Sequence, residues 1–164
     1  MLLVSFGNEI AGAATANNRF VYASDDIQCH AMGEIGHPEN IKNSYSCFLA
    51  QQLGLGHKSY SGNYQNNQQI FSTVENFLTT VLPGLGSKYT IILVGWFPDQ
   101  REIYNQKLYD IVEFPNEYYS FDMILDFANW CKKNNQLNSY NYPTVEAHRY
   151  WATYLFEKII DNQV

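Results

Sequence analysis

Leu2 to Phe6 is a short, mostly apolar run that stops at Gly7 and turns polar at once with Asn8-Glu9. A run of that length ended by glycine predicts a buried strand. A polar stretch follows, through Asn17-Asn18 and the apolar island Phe20-Val21-Tyr22, as far as Pro38. From Asn43 to Leu53 the spacing becomes helical. Tyr45, Phe48, Leu49, Gln52 and Leu53 share a face, and Gly54 is a natural C-terminal stop. Lys58 to Ser61 predicts a weak strand, and Gly62 to Asn67 a turn rich in asparagine. Asn67 to Val81 repeats Ile70, Val74, Phe77, Leu78 and Val81, a helical face broken by Pro83-Gly84-Leu85-Gly86. Tyr89 to Val94 is the clearest strand and ends at Gly95. Leu108 to Phe114 predicts a further strand. Ser120 is placed to cap a helix running through Lys133, and Thr144 to cap a last helix carrying Val145, His148, Trp151, Ala152, Leu155, Phe156 and Ile159.

Strands alternating with helices predict an α/β fold, a three-layer α/β/α sandwich around a mostly parallel sheet of four to five strands. Right-handed crossovers put helices on both faces. Ligands of such sheets bind outside the carboxyl ends of the strands. Those ends are Gly7-Asn8-Glu9, Gly62 to Asn67 and Gly95 to Arg101, joined by the loop before Thr144, so these four segments are expected to surround one crevice.

Composition narrows the function classes. The 164 residues fit one domain, and 46% hydrophobic with 16% charged residues is globular composition. The net charge is -6, and Lys132-Lys133 is the densest basic feature. Nucleic acid and anionic membrane surfaces are therefore not expected partners. No apolar stretch reaches spanning length, and the N-terminal run lacks the basic flank of a signal peptide. The expected location is the cytoplasm, that of the host cell if the chain is phage-encoded, or a virion. Three cysteines, Cys29, Cys47 and Cys131, without CxxC spacing predict neither a disulfide framework nor a zinc site. Gly84 and Gly86 form no phosphate loop, since no GK[ST] follows. No cofactor and no metal are expected. A small-molecule or carbohydrate ligand and a homo-oligomer remain open, and the 13 Tyr, 10 Phe and 3 Trp serve either recognition or the core.

The four rim segments carry a resemblance. Phe6-Gly7 before Asn8-Glu9, Ser44-Tyr45 with Leu49-Ala50 and Leu53-Gly54, Ser61-Gly62 leading to Asn67 and Ile70, Val94-Gly95-Trp96, and Tyr142-Pro143 with Ala147-His148 together resemble the SGNH (GDSL-type) hydrolases, especially compact forms from tailed bacteriophages and marine microbes. The resemblance implies a flavodoxin-like sandwich and hydrolysis of an ester or acyl group. It implies a serine after the first strand, a histidine in the last loop with an aspartate three residues before it, and an oxyanion site of backbone N–H, glycine and asparagine. On this chain the serine position holds Glu9, the histidine position Tyr142, the aspartate position Ser139, and the third-block asparagine falls near Phe97. The usual triad is therefore expected to be absent, as in a pseudoenzyme. Gly7, Asn8, Glu9, Gly62, Asn66, Asn67, Gly95, Trp96 and Tyr142 are the expected crevice residues.

Three residues are candidates for altered chemistry. Glu9 is a carboxylate at a strand tip, able to act as nucleophile or base. His148 is a substitute base, although its place in the apolar stripe with Trp151 and Leu155 points it into the core. Tyr142 can donate a hydrogen bond to a ligand. His30, Glu34, His37 and Glu39 form a loose group of metal-type ligands that matches no strict motif. Asp99, Arg101 and Glu102 are expected to pair locally, and Ser61 is a serine near the rim without an evident base. Three functions follow: a degenerate hydrolase that binds a sugar or acylated glycan or serves as a phage-associated structural part; an active esterase using Glu9 with Tyr142 or His148; and a protein that binds a partner or itself through its aromatic surface.

Overall fold

The computed structural model describes residues 1–8, 10, 11, 13, 41–61, 64–85, 89–98, 100–112, 117–138 and 141–163. Four strands, β1 (Leu2–Gly7), β2 (Gly56–Ser61), β3 (Thr90–Trp96) and β4 (Glu117–Asp122), form one sheet in the order β2-β1-β3-β4. Every pairing is parallel, with Leu2 opposite both Gly56 and Thr90, and Ile91 opposite Glu117. The helices are α1 (Tyr45–Leu53), α2 (Asn67–Asn76), α3 (Arg101–Tyr109), α4 (Asn129–Lys133) and α5 (Val145–Gln163). The order reverses between β1 and β3, the doubly wound pattern of flavodoxin-like sheets.

Burial follows strand position. β3 is buried at all seven residues and β1 at five of six, so both read as near-continuous apolar runs. The edge strands β2 and β4 are polar and aromatic. On one face Leu3, Ile91 and Leu93 pack with Tyr45, Phe48 and Leu49 of α1 and with Trp151, Ala152 and Leu155 of α5. On the other, Val4, Phe6, Ile92, Val94 and Trp96 pack with Ile70 and Val74 of α2 and Tyr104 and Leu108 of α3. Each large apolar side chain buried this way contributes about 1.5–3 kcal/mol.

Helix boundaries have local chemical causes. The Ser44 hydroxyl accepts the Cys47 N–H at 3.2 Å, and α1 ends at Gly54 with φ +69°, a left-handed conformation that disfavours other residues. The Asn66 side chain accepts the Gln69 N–H at 3.0 Å, and the Thr144 hydroxyl the Ala147 N–H at 3.1 Å. The predicted helix over 67–81 is α2 followed by one π-helical turn, Phe77–Val81, and a 3-10 turn, Leu82–Leu85.

Two expectations fail after β3. Residues 108–112 are the end of α3 and its exit turn, where the Ile111 N–H bonds the Leu108 carbonyl at 2.9 Å, so no strand begins at Leu108. Ser120 lies inside β4 rather than at a helix start. The capping is done two residues later: the Asp122 carboxylate accepts the Leu125 N–H at 2.7 Å and opens a π-helix, Met123–Ala128, that runs into α4. No helix among the described residues is long and apolar enough to cross a membrane.

Candidate functional site

Because the strands are parallel, Gly7, Ser61, Trp96 and Asp122 end at one rim of the sheet. α1 and α5 also begin there. The Tyr45 N–H at the start of α1 meets His148 in the first turn of α5, and farther along Gln52 donates to the Thr153 hydroxyl at 3.2 Å. The two helices thus run side by side in the same direction.

The rim is filled from the α1/α5 face. Gly7 lies so close to the following turn that an added Cβ would stand 2.5 Å from Ala11 Cβ. At Gly95 an added Cβ would collide with Met123 Sδ. Tyr45 is fully buried, donates its hydroxyl to Met123 Sδ at 3.7 Å, and burial raises its pKa. Both glycines therefore make room for neighbouring side chains.

His148 is 0% exposed. Its Nδ1 accepts the Tyr45 backbone N–H at 3.0 Å, which fixes the proton on Nε2. The ring stacks on Tyr45, centroids 5.7 Å apart, and meets Phe127 edge-on at 5.1 Å. Burial pushes its pKa down to about 3, so it is neutral near pH 7. It is a buried substitute for a helix cap, with its lone pair already engaged.

The asparagines at the rim do similar work. The Asn67 carboxamide clamps the end of β3, accepting the Phe97 N–H at 2.7 Å and donating to the Phe97 carbonyl at 2.9 Å. Asn66 is the cap of α2. Asn8 accepts the Ile10 N–H at 3.0 Å, an Asx turn that redirects the chain after β1. Trp96 is fully buried on the α2/α3 side, its N–H donating to Asn105 Oδ1 at 2.8 Å, with Tyr118 Oη 3.0 Å away. Tyr142 is half-buried before Pro143, and its N–H bonds the Asn138 side chain at 3.2 Å. Glu9, Gly62, Asp99, Ser139 and the group His30, Glu34, His37 and Glu39 lie outside the described residues. Among the described residues no cluster of three His, Cys, Asp or Glu side chains is placed to hold a metal. Arg101 reaches across to Asp126 at 3.8 Å and to the Ser120 carbonyl at 3.3 Å.

One constellation was not anticipated. On the α1 side of β1 and β2, Ser5 donates to Ser46 at 2.9 Å, and Ser46 Oγ lies 3.0 Å from His57 Nε2 and 3.1 Å from Ser44 Oγ. Ser59 and Ser61 continue the row at 2.6 Å. Burial lowers the His57 pKa to about 4. Ser5, Ser44 and Ser46 are fully buried, so the network joins edge strand β2 to α1 without presenting a hydroxyl to solvent. The sequence signal was available: His57, Ser59 and Ser61 alternate on one face of β2, and Ser44 and Ser46 open the helix that covers it. Of the thiols, Cys131 is buried with its pKa raised to about 12, and Cys47 is half-buried and also raised.

No family model and no curated protein matches the chain. Among solved structures it is similar to a G-D-S-L family protein from Desulfitobacterium hafniense DCB-2, at 16% identity over 95% of this chain and 98% of that one, with a TM-score of 0.49.

Proposed function

We propose that this protein is an SGNH-hydrolase-like ligand-binding protein that does not turn over esters. The observation that carries this reading is the state of His148. The histidine nearest the family's base position is fully buried and spends Nδ1 on the Tyr45 N–H. A general base must reach the proton it removes, and this one faces a helix start and two aromatic rings. The half-buried Tyr142 stands where the resemblance puts the histidine.

One observation favours the second reading, an altered acyl hydrolase: Ser46 and His57 make a serine–histidine hydrogen bond at 3.0 Å. Full burial of Ser46 weighs against attack on a substrate carbonyl. Hydrolysis of p-nitrophenyl acetate decides between the two. The expected result is release at the buffer rate, unchanged in Glu9→Ala, His57→Ala and His148→Ala. Turnover that any of these substitutions abolishes overturns the binding reading.

A further inference from the structure

Between the helical segment after β4 and the outer side of α5 lie two adjoining cavities of about 480 and 310 Å³. Asp126, Trp151 and Tyr154 line both, so they form one furrow. Its walls are built by helical spacing. Tyr150, Tyr154 and Lys158 recur at every fourth position of α5, opposite Asp126, Trp130 and Lys133.

Three properties define what fits. First, aromatic rings line the furrow in stacked pairs: Trp130 and Tyr150 at 4.8 Å, and Tyr154 on Trp151 at 4.7 Å, where Phe127 backs Trp151 at 5.2 Å and Lys158 Nζ lies 5.5 Å from the Tyr154 centroid. Tyr150 is 61% and Tyr154 41% exposed, so both present ring surface to solvent. Second, two N–H donors belonging to residues that line the furrow, Arg101 Nε and Trp151 Nε1, are buried without a partner. Trp151 itself is 6% exposed. A buried donor left unpaired costs about 1–3 kcal/mol, and an acceptor oxygen recovers it. Third, Arg101, Lys133 and Lys158 line the furrow with one carboxylate, Asp126, which pairs with Arg101 at 3.8 Å and leaves the two lysines as the cations for a ligand, on a chain of net charge -6.

The geometry points to this furrow as the binding site for an acidic saccharide, a sugar chain carrying carboxylates. The exposed rings of Tyr150 and Tyr154 match the apolar faces of pyranose rings, and Lys133 and Lys158 match carboxylates. Asp126 and Asn129 accept from hydroxyls, which a sugar supplies and a phosphate dianion does not. The furrow follows the β4 edge of the sheet and meets the strand-end rim at Arg101 and Asp126. It deepens the binding reading above and rests on it.

The test is titration of the full chain with trigalacturonate, followed by calorimetry and by tryptophan fluorescence, since Trp130 and Trp151 report on the furrow. Maltotriose and inorganic phosphate are the comparison probes. The expected result is saturable binding of trigalacturonate. The neutral trimer should bind at least roughly tenfold more weakly, Tyr150→Ala and Tyr154→Ala should each weaken binding by roughly tenfold, and Lys133→Ala with Lys158→Ala should remove most of its salt dependence. Melting curves of these exposed-site variants certify that they are folded. No saturation up to about 10 mM, equal binding of maltotriose or phosphate, or unaltered affinity in the tyrosine variants overturns the inference. Ester turnover in the earlier assay would overturn the non-hydrolytic reading and leave this titration standing. A blank titration without turnover sinks the saccharide site alone.

Discussion

The strand-end rim and the outer furrow use similar residues in opposite ways. At the rim, an imidazole, a phenol and three asparagines are committed to holding helix starts and strand ends, and the two glycines receive Ala11 and Met123. In the furrow, tyrosines are exposed and two buried donors lack acceptors. Residue types associated with chemistry thus report folding in the first place and recognition in the second. What separates them is exposure: Tyr45, His148, Asn8 and Asn67 are buried at the rim, whereas Tyr150 and Tyr154 face solvent. Substitutions at the rim should lower stability, and substitutions in the furrow should lower affinity alone.

The largest effect is expected at His148. His148→Ala removes a fully buried ring wedged between Tyr45 and Phe127 and strands the Tyr45 N–H, at a cost of roughly 3–5 kcal/mol. His148→Phe keeps the ring volume and should cost only about 1–3 kcal/mol, the unpaired N–H. Chemical denaturation reads both. A His148→Phe variant as stable as the parent would show that the cap contributes nothing beyond packing.

Gly7→Ala comes next. Its Cβ would press on Ala11, whose position is set by backbone, and overpacking of this kind costs about 1–3 kcal/mol. A variant as stable as the parent would show that the turn after β1 yields freely and that the rim is looser than its geometry indicates.

Acid should destabilise the fold through the histidines. His148 and His57 titrate at about 3 and about 4 in the folded state against 6.5 for the free side chain, both lowered by burial. Below 6.5 the unfolded chain takes up protons that the folded chain refuses. Stability is therefore intact above that pH and falls as pH drops toward 4, by up to about 1.4 kcal/mol per pH unit for each histidine. Denaturant midpoints from pH 7 to pH 4 should decline less steeply in His148→Phe than in the parent. Parallel curves would sink the assignment of a buried neutral imidazole.

The smallest effect is expected in the furrow. Tyr150→Ala removes an exposed ring and should change stability by no more than about 0.5 kcal/mol. A larger loss would assign the Trp130–Tyr150 stack to the fold and blur the contrast with the rim.

The central strands were legible in the sequence because burial on both faces leaves short apolar runs bounded by glycine. α1, α2 and α5 were legible because their apolar residues keep a helical period and their caps are Ser, Asn and Thr. The region after β3 was not. α3 buries only Tyr104, Asn105 and Leu108, too sparse a stripe to register as periodic. β4 is an edge strand of Glu-Tyr-Tyr-Ser-Phe-Asp, and its last residues share spacing with the π-helix that follows, so strand and helix merged into one pattern. His148 was legible as a core histidine from the stripe it belongs to. Its partner was not, because nothing local in the sequence links it to Tyr45. The furrow was invisible for the same reason: its two walls come from separate helices.

The hydrogen bond from Tyr45 to His148 spans 103 residues. A ribosome delivers α1, β2 and β3 long before α5 appears. Until then the first helix has a bare N–H and an open apolar side, and the half-made sheet shows its α1 face to water. Contacts of that sequence separation raise the contact order, and a fold closed by them is expected to form slowly.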